Sequence, residues 1–377
     1  MGWETKAWLV MPLLFLATNY MQHCVYGESQ VPCLFIFGDS LCDSGNNNHL
    51  QTSSKANYKP YGIDFPNGPT GRFNNGRTVI DIITQLLGFE NFIPPFANTS
   101  GSDVLKGVNY ASAGAGIRVE TGSHTGTIIS FGSQLTNHGV IVSQIATKLG
   151  SPEKARQYLN KCLYYLDIGS NDYINNYFLP LFYPTSQIYS PEEYAEALIE
   201  ELSLDLMALR DLGARKFVLV GMGLLGCTVN AIITHGTNGS CVQEENAAAF
   251  IFNSKLKSLV DFYNNKFSSN SKFIFINSTS EADSYSRGFI SDAACCLSGS
   301  SGGCIPDQRP CNNRNEYVFW DEFHPTEAWN KLIATISYNS TSNPAFTYPM
   351  DIMHLVEQEI KMELLINEPT SQLSAPE

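Results

Sequence analysis

The chain has no cluster of basic residues, no Pro/Ser-rich linker, no long run of one charge and no internal repeat. Beyond its N-terminal segment it also has no apolar stretch long enough to cross a bilayer. Each absence excludes something. The 23 Lys and Arg residues are scattered among 36 Asp and Glu, giving a formal net charge of −13. Such a chain repels phosphate backbones, so no nucleic-acid partner is expected. Without linkers or repeats, the 377 residues read as one large domain rather than an array. The missing later span argues against stable membrane insertion.

Hydrophobic residues make up 43% of the chain and aromatics 12%, enough to bury a sizeable core. The N-terminus carries Lys6, an apolar run from Ala7 to Thr18, then small or polar residues around Tyr26, Gly27 and Glu28. This order reads as a secretory leader over residues 1–27, with a signal anchor as the competing reading. An extracellular location follows. Sequons at Asn98, Asn238, Asn277 and Asn339 agree with it and are candidate glycosylation sites.

Ten cysteines are present: Cys24, Cys33, Cys42, Cys162, Cys227, Cys241, Cys295, Cys296, Cys304 and Cys311. Loss of Cys24 with the leader leaves an odd number, so at least one thiol is free or pairs between chains. The cluster from Cys295 to Cys311 has spacing that would suit zinc, but an oxidising compartment favours a disulfide-pinned loop.

Five short apolar runs read as buried strands: Cys33 to Phe37, Val108 to Ala111, Leu163 to Ile168, Phe217 to Val220 and Phe273 to Ile276. Between and after them lie helical patterns over Thr78 to Leu87, Gln134 to Leu149, Glu192 to Leu212, Glu244 to Phe267 and Glu327 to Ile336. The third opens with Ser190-Pro191-Glu192-Glu193, a capping box with proline at the first helical position. Alternation of this kind implies right-handed crossovers and a three-layer α/β/α sandwich around a five-stranded parallel sheet.

Ligands of open parallel sheets bind beyond the carboxyl ends of the strands. After the first strand comes Phe37-Gly38-Asp39-Ser40-Leu41, a tight turn that points a serine hydroxyl into the crevice. After the second comes Ala111-Ser112-Ala113-Gly114-Ala115-Gly116, whose glycines permit close backbone approach to a ligand. Gly169-Ser170-Asn171-Asp172 follows the third strand and supplies an amide donor. Beyond the fifth lies Asp321-Glu322-Phe323-His324-Pro325. There a carboxylate three residues before a histidine is able to hold the tautomer that leaves Nε2 free as a base. Serine needs such a base to become a nucleophile, and acyl transfer needs donors aimed at the tetrahedral oxygen. Each group has a plainer reading when taken alone. Ser40 would be a turn or helix cap, Asn171 an Asx turn, and Asp321 with His324 a surface pair. Their joint placement at strand ends favours the chemical reading.

These segments, with Gly71-Arg72-Phe73-Asn74-Asn75-Gly76-Arg77 and Gly107-Val108-Asn109-Tyr110, resemble the plant GDSL-type esterase/lipase family of the SGNH hydrolase superfamily. The likeness runs from Val31 to about Leu355. It implies a flavodoxin-like SGNH hydrolase fold over residues 28–358 and a polar tail over 359–377. It also implies a secreted enzyme cleaving esters of acyl lipids or acyl groups. Ser40 would be the nucleophile, Asp321 and His324 would complete the triad, and the oxyanion donors would be the Ser40 and Gly114 N–H groups and the Asn171 amide. Neither a cofactor nor a metal is called for. Acyl transfer to another acceptor at the same site, or a silent wall-binding protein, are the alternatives, and the oligomeric state is open.

Two motifs mislead. Gly221-Met222-Gly223-Leu224-Leu225-Gly226 matches the dinucleotide fingerprint but lacks the helix and acidic residue that must follow it. Gly299-Ser300-Ser301-Gly302-Gly303 matches a nucleophile elbow, but its flanks are not a strand and a helix.

Overall fold

The computed structural model describes residues 28–99, 103–279 and 288–358. The leader, Cys24 and the polar tail lie outside the described residues.

The strands are β1 (Leu34–Gly38), β2 (Gly107–Asn109), β3 (Leu163–Asp167), β4 (Lys216–Val220), β5 (Lys272–Ile276), β6 (Ile290–Ala294), β7 (Tyr317–Phe319) and β8 (Thr347–Tyr348). The main helices are α1 (Val79–Leu86), α2 (Phe131–Leu149), α3 (Pro152–Leu159), α4 (Pro191–Asp211), α5 (Gln243–Phe267), α6 (Glu327–Tyr338) and α7 (Ile352–Glu357). The principal sheet runs β2-β1-β3-β4-β5-β8. Its first five strands are parallel and in the flavodoxin-like order.

The expected five-stranded parallel sheet therefore needs one correction, because β8 adds a sixth strand antiparallel to β5. With two residues it is too short to carry an alternation pattern. A separate two-stranded pair, β6 with β7, also escapes the pattern, being half exposed and lying beside the cysteine cluster. The expected strands are otherwise found with ends shifted by one or two residues. Helix α3 was not anticipated: it is short and buries only Ala155 and Leu159.

Period-two alternation along each central strand sorts its side chains onto two faces. Phe35, Phe37, Tyr164, Leu166, Phe217, Leu219, Phe273 and Phe275 point into one core with α2, α3, α4 and α5. Leu34, Ile36, Leu163, Tyr165, Val218, Val220, Ile274 and Ile276 point into the other, closed by α1, α6 and α7. This is the three-layer sandwich. The Ser190 side chain caps α4 at the Glu193 N–H and Glu193 returns the bond, so the anticipated capping box is formed.

Four disulfides are present: Cys33–Cys162, Cys227–Cys241, Cys295–Cys311 and Cys296–Cys304. The cysteine cluster is thus a doubly bridged loop, and its sulfurs are not free thiolates for zinc. Cys42 is the free thiol among the described residues, and it is buried.

Candidate active site

The carboxyl ends of β1, β2 and β3 meet at the floor of a cleft of about 890 Å³. Gly38 closes β1 so tightly against β3 that a Cβ there would lie 2.4 Å from the Asp167 carbonyl oxygen. The chain then turns, with the N–H groups of Cys42 and Asp43 donating to the Asp39 carbonyl at 3.1 and 2.9 Å. This turn leaves Ser40 half-buried on the cleft wall.

A buried polar lattice holds the turn from behind. The Asp43 carboxylate accepts from the N–H groups of Gly45 (2.7 Å), Asn46 (2.7 Å) and Ala113 (3.1 Å). Burial pushes its pKa up to about 6 despite those bonds. Asn46 donates to the carbonyls of Asn109 and Ala111, and Asn47 to those of Ser54 and Ala113. These bonds tie the β1 turn to the segment after β2. Gly114 there has φ +84°, and a Cβ on it would come within 2.8 Å of Ile128, so glycine is required both by conformation and by space. Among the described residues, the backbone N–H groups of Ser40 and Gly114 have no hydrogen-bond partner and border the cleft.

Asp321 and His324 arrive from the loop between β7 and α6. Its backbone is laced to the bridged cysteine loop: the N–H groups of Cys295 and Cys296 donate to Phe319 and Trp320, and that of Glu322 to Gly302. His324 Nε2 lies 2.8 Å from the Ser40 Oγ. Its Nδ1 lies 2.8 Å from each carboxylate oxygen of Asp321. Asp321 is fully buried. It also accepts from the N–H groups of Phe323 (2.9 Å) and His324 (2.8 Å) and from the Tyr61 hydroxyl at 2.6 Å. These bonds fix the Asp321 side chain, which in turn locks the imidazole edge in place. Tyr61 itself accepts from the Cys304 N–H at 3.0 Å, and Phe73 packs its ring 4.9 Å from that of His324.

Asn171 also borders the cleft. Its amide nitrogen donates to the Asp39 carboxyl at 3.1 Å and to the Ala115 carbonyl at 3.0 Å, and its oxygen accepts from Asn175 at 2.6 Å. Burial and the nearby Asp167 push the Asp39 carboxyl up, and burial pushes Asp167 up as well. Burial and the same carboxyls keep Cys42 a thiol well above its ordinary range.

All the anticipated residues, Ser40, Gly114, Asn171, Asp321 and His324, therefore converge on one cleft. The candidate sequons scatter over the surface: Asn98 and Asn238 are exposed, Asn277 and Asn339 half-buried. Sequence reasoning missed Tyr61 and the Asp39–Asp167 pair. Tyr61 lies 260 positions from Asp321, and no local pattern signals such a bond. Asp39 was visible inside the serine motif but had no partner to suggest a role. The glycine-rich stretch after β4 leads into a turn of 3-10 helix at Leu225–Cys227 and the Cys227–Cys241 bridge. Contrary to expectation a short helix does follow, Val229–Thr234, capped by the Thr228 side chain at the Ala231 N–H. What dinucleotide binding still lacks is an acidic residue at the end of a following strand, because the next carboxylates, Glu244 and Glu245, lie in the first turn of helix α5.

The family model for GDSL-like lipase/acylhydrolase proteins matches residues 34–336. One GDSL esterase/lipase of Arabidopsis thaliana is 48% identical over 364 residues, covering 94% of this chain and 98% of its own length. A second is 49% identical over 343 residues, 88% and 93% of the two chains, and a third 46% identical over 353 residues, 91% and 97%. The protein is by class an enzyme, a hydrolase of carboxylic esters. The chain belongs to the GDSL-like lipase/acylhydrolase family.

Proposed function

We propose that the protein is a secreted esterase or lipase working through a Ser40-His324-Asp321 triad and an acyl-enzyme. The observation that carries this reading is the line of short contacts from Ser40 Oγ to His324 Nε2 and from His324 Nδ1 to Asp321, each 2.8 Å. As the ester carbonyl approaches, His324 takes the Ser40 proton and Ser40 Oγ bonds to the carbonyl carbon. Asp321 stabilises the imidazolium and stays ionised. The oxyanion is received by the free N–H groups of Ser40 and Gly114, with the Asn171 amide turning from Ala115 or Asp39 to join them. His324 returns the proton to the leaving alcohol. Water, deprotonated by His324, then releases the acid and restores Ser40.

The cleft suits an acyl substrate: Ile174, Leu224, Leu225 and Ile232 lie on its wall. Secretion is supported by the N-terminal segment, the four disulfides and the absence, among the described residues, of a helix long and apolar enough to cross a membrane. Residues 28–358 are assigned to the hydrolase domain, and the exposed Asn98 and Asn238 are the foremost glycosylation candidates.

Replacing Ser40 with alanine tests the reading. Release of p-nitrophenol from a short-chain ester should fall by roughly 10⁴-fold or more. Covalent labelling by a fluorophosphonate should vanish with it, and retained turnover would refute the assignment.

A further inference from the structure

The wall of the cleft is chemically uneven. One side carries Ile174, Leu224, Leu225 and Ile232. Another is hydroxylic, formed by Ser53, Ser54 and Thr125 with Lys55 beside them. Two segments are zipped together to build it. The Ser53 N–H donates to the Thr125 carbonyl at 2.9 Å, the Thr127 N–H to Gln51 at 2.8 Å, and the Ser54 hydroxyl to that of Thr125 at 3.2 Å. The wall abuts the oxyanion side, since a Cβ placed on Gly114 would sit 3.4 Å from the Ser54 Oγ.

Lys55 is the single Lys or Arg among the described residues of the cleft. It is half-buried, and no described carboxylate lies within ion-pair distance of it. In a chain of net charge −13, an unpaired ammonium at the reaction cleft stands out. Burial pushes the neighbouring His124 below the usual histidine range, so that ring adds no charge near neutrality. The Asp39 and Asp321 carboxyl groups are buried and already engaged, and burial with Asp167 pushes that of Asp39 up to about 8. Asp292, on β6, is the exposed carboxylate of the wall, and it does not pair with Lys55.

We propose that Lys55 selects esters that carry an anionic group, with the acyl chain along the apolar wall and the anion on the lysine among the Ser53, Ser54 and Thr125 hydroxyls. This rests on the Ser40 reading above and adds the substrate class to it. The hydroxyls of Ser53, Ser54 and Thr125 already donate to the Thr125 carbonyl, the Thr125 hydroxyl and the Gly122 carbonyl. The Lys55 ammonium is therefore the donor that meets the anion, and an ammonium is a general partner for a carboxylate or a phosphate. The charge would act on binding and not on the bonds that break.

Two matched pairs of substrates test it. In the first pair, the mono-p-nitrophenyl ester of azelaic acid carries a free carboxylate on the acyl side, and its methyl-capped form is neutral. In the second, a monoacylglycerol phosphate carries the anion on the alcohol side, and the monoacylglycerol is neutral. The anionic-to-neutral ratio of kcat/KM should fall roughly three- to tenfold in Lys55→Met in at least one pair. It should recover in Lys55→Arg, and the wild-type preference should shrink as salt is raised. The pair that responds identifies which side of the ester carries the anion. An unmoved ratio in both pairs while Ser40-dependent turnover persists, or a wild-type preference for the neutral partners, would overturn the role of Lys55 alone. Turnover that survives Ser40→Ala would overturn both readings.

Discussion

The two halves of the candidate triad are held by different physics. Ser40 stands at the end of a central strand, and its turn is fixed by sheet register and a buried lattice of carboxyl and amide bonds from Asp43, Asn46 and Asn47. Asp321 and His324 stand on a loop outside the main sheet, fixed by two disulfides, a few backbone bonds and the Tyr61 hydroxyl. The first region follows from the fold as a whole. The second depends on a local clamp, and should be the more easily uncoupled of the two.

The largest test of that contrast is at the clamped end. Asp321→Asn leaves the size of the side chain unchanged but favours the wrong histidine tautomer, and kcat should fall roughly 10⁴-fold with the melting temperature little changed. A loss under tenfold would mean that the loop positions His324 without its carboxylate. At the sheet end, Asn171→Ala removes the amide proposed as an oxyanion donor and should cost roughly a hundredfold to a thousandfold in kcat. A loss under tenfold would make Asn171 structural, a partner of Asp39 and Ala115 only.

The disulfides sharpen the comparison further. Serine at both Cys296 and Cys304 should lower kcat of the folded protein by roughly tenfold or more, since a loop 1 Å out of place is costly in catalysis. Serine at Cys33 and Cys162 removes a bridge at the opposite ends of β1 and β3. That pair should lower the melting temperature and leave kcat of the folded fraction within about twofold, because the register itself is kept by the sheet; both expectations rest on disulfides acting mainly against the unfolded chain. Equal losses of kcat from the two pairs would erase the distinction.

The smallest effect is on stability against pH. Burial raises the carboxyls of Asp39 and Asp167, and it brings Asp43 to about 6 and Asp172 to about 7. A carboxyl raised on folding binds more protons in the native state, so its contribution is present at low pH and lost as pH rises through the folded value. His138, buried and pushed down to about 3, acts oppositely: its contribution is lost as pH falls below the ordinary histidine range. The melting temperature should therefore decline by a few degrees from pH 6 to pH 8, and Asp39→Asn should flatten that decline. A melting temperature that rises over the same interval would contradict the buried, protonated pair beneath Ser40.

Much of the fold could be read in advance because the central strands are buried on both faces and appear as unbroken apolar runs, such as Leu34 to Phe37 and Phe273 to Ile276. Strand β8, helix α3 and the β6–β7 pair could not, for they are short and depend on neighbours brought to them by the rest of the chain. At the site, Ser40 and His324 stood out because each sits in a turn directly after a strand or beside a carboxylate. Tyr61 and Asp167 did not, since one serves Asp321 from 260 positions away and the other matters only because β3 lies against β1.

The sequence by itself determined the layered α/β architecture, the family and the residue types gathered for ester chemistry, because these depend on local periodicity and on short motifs. Only the tertiary structure decided that His324 reaches Ser40 at 2.8 Å, that Tyr61 helps hold Asp321, that Cys42 is left unbridged and that Lys55 faces the cleft unpaired. Those relations are distances between segments far apart in the chain, and no local pattern encodes a distance that exists only once the sheet and its loops have closed on one another.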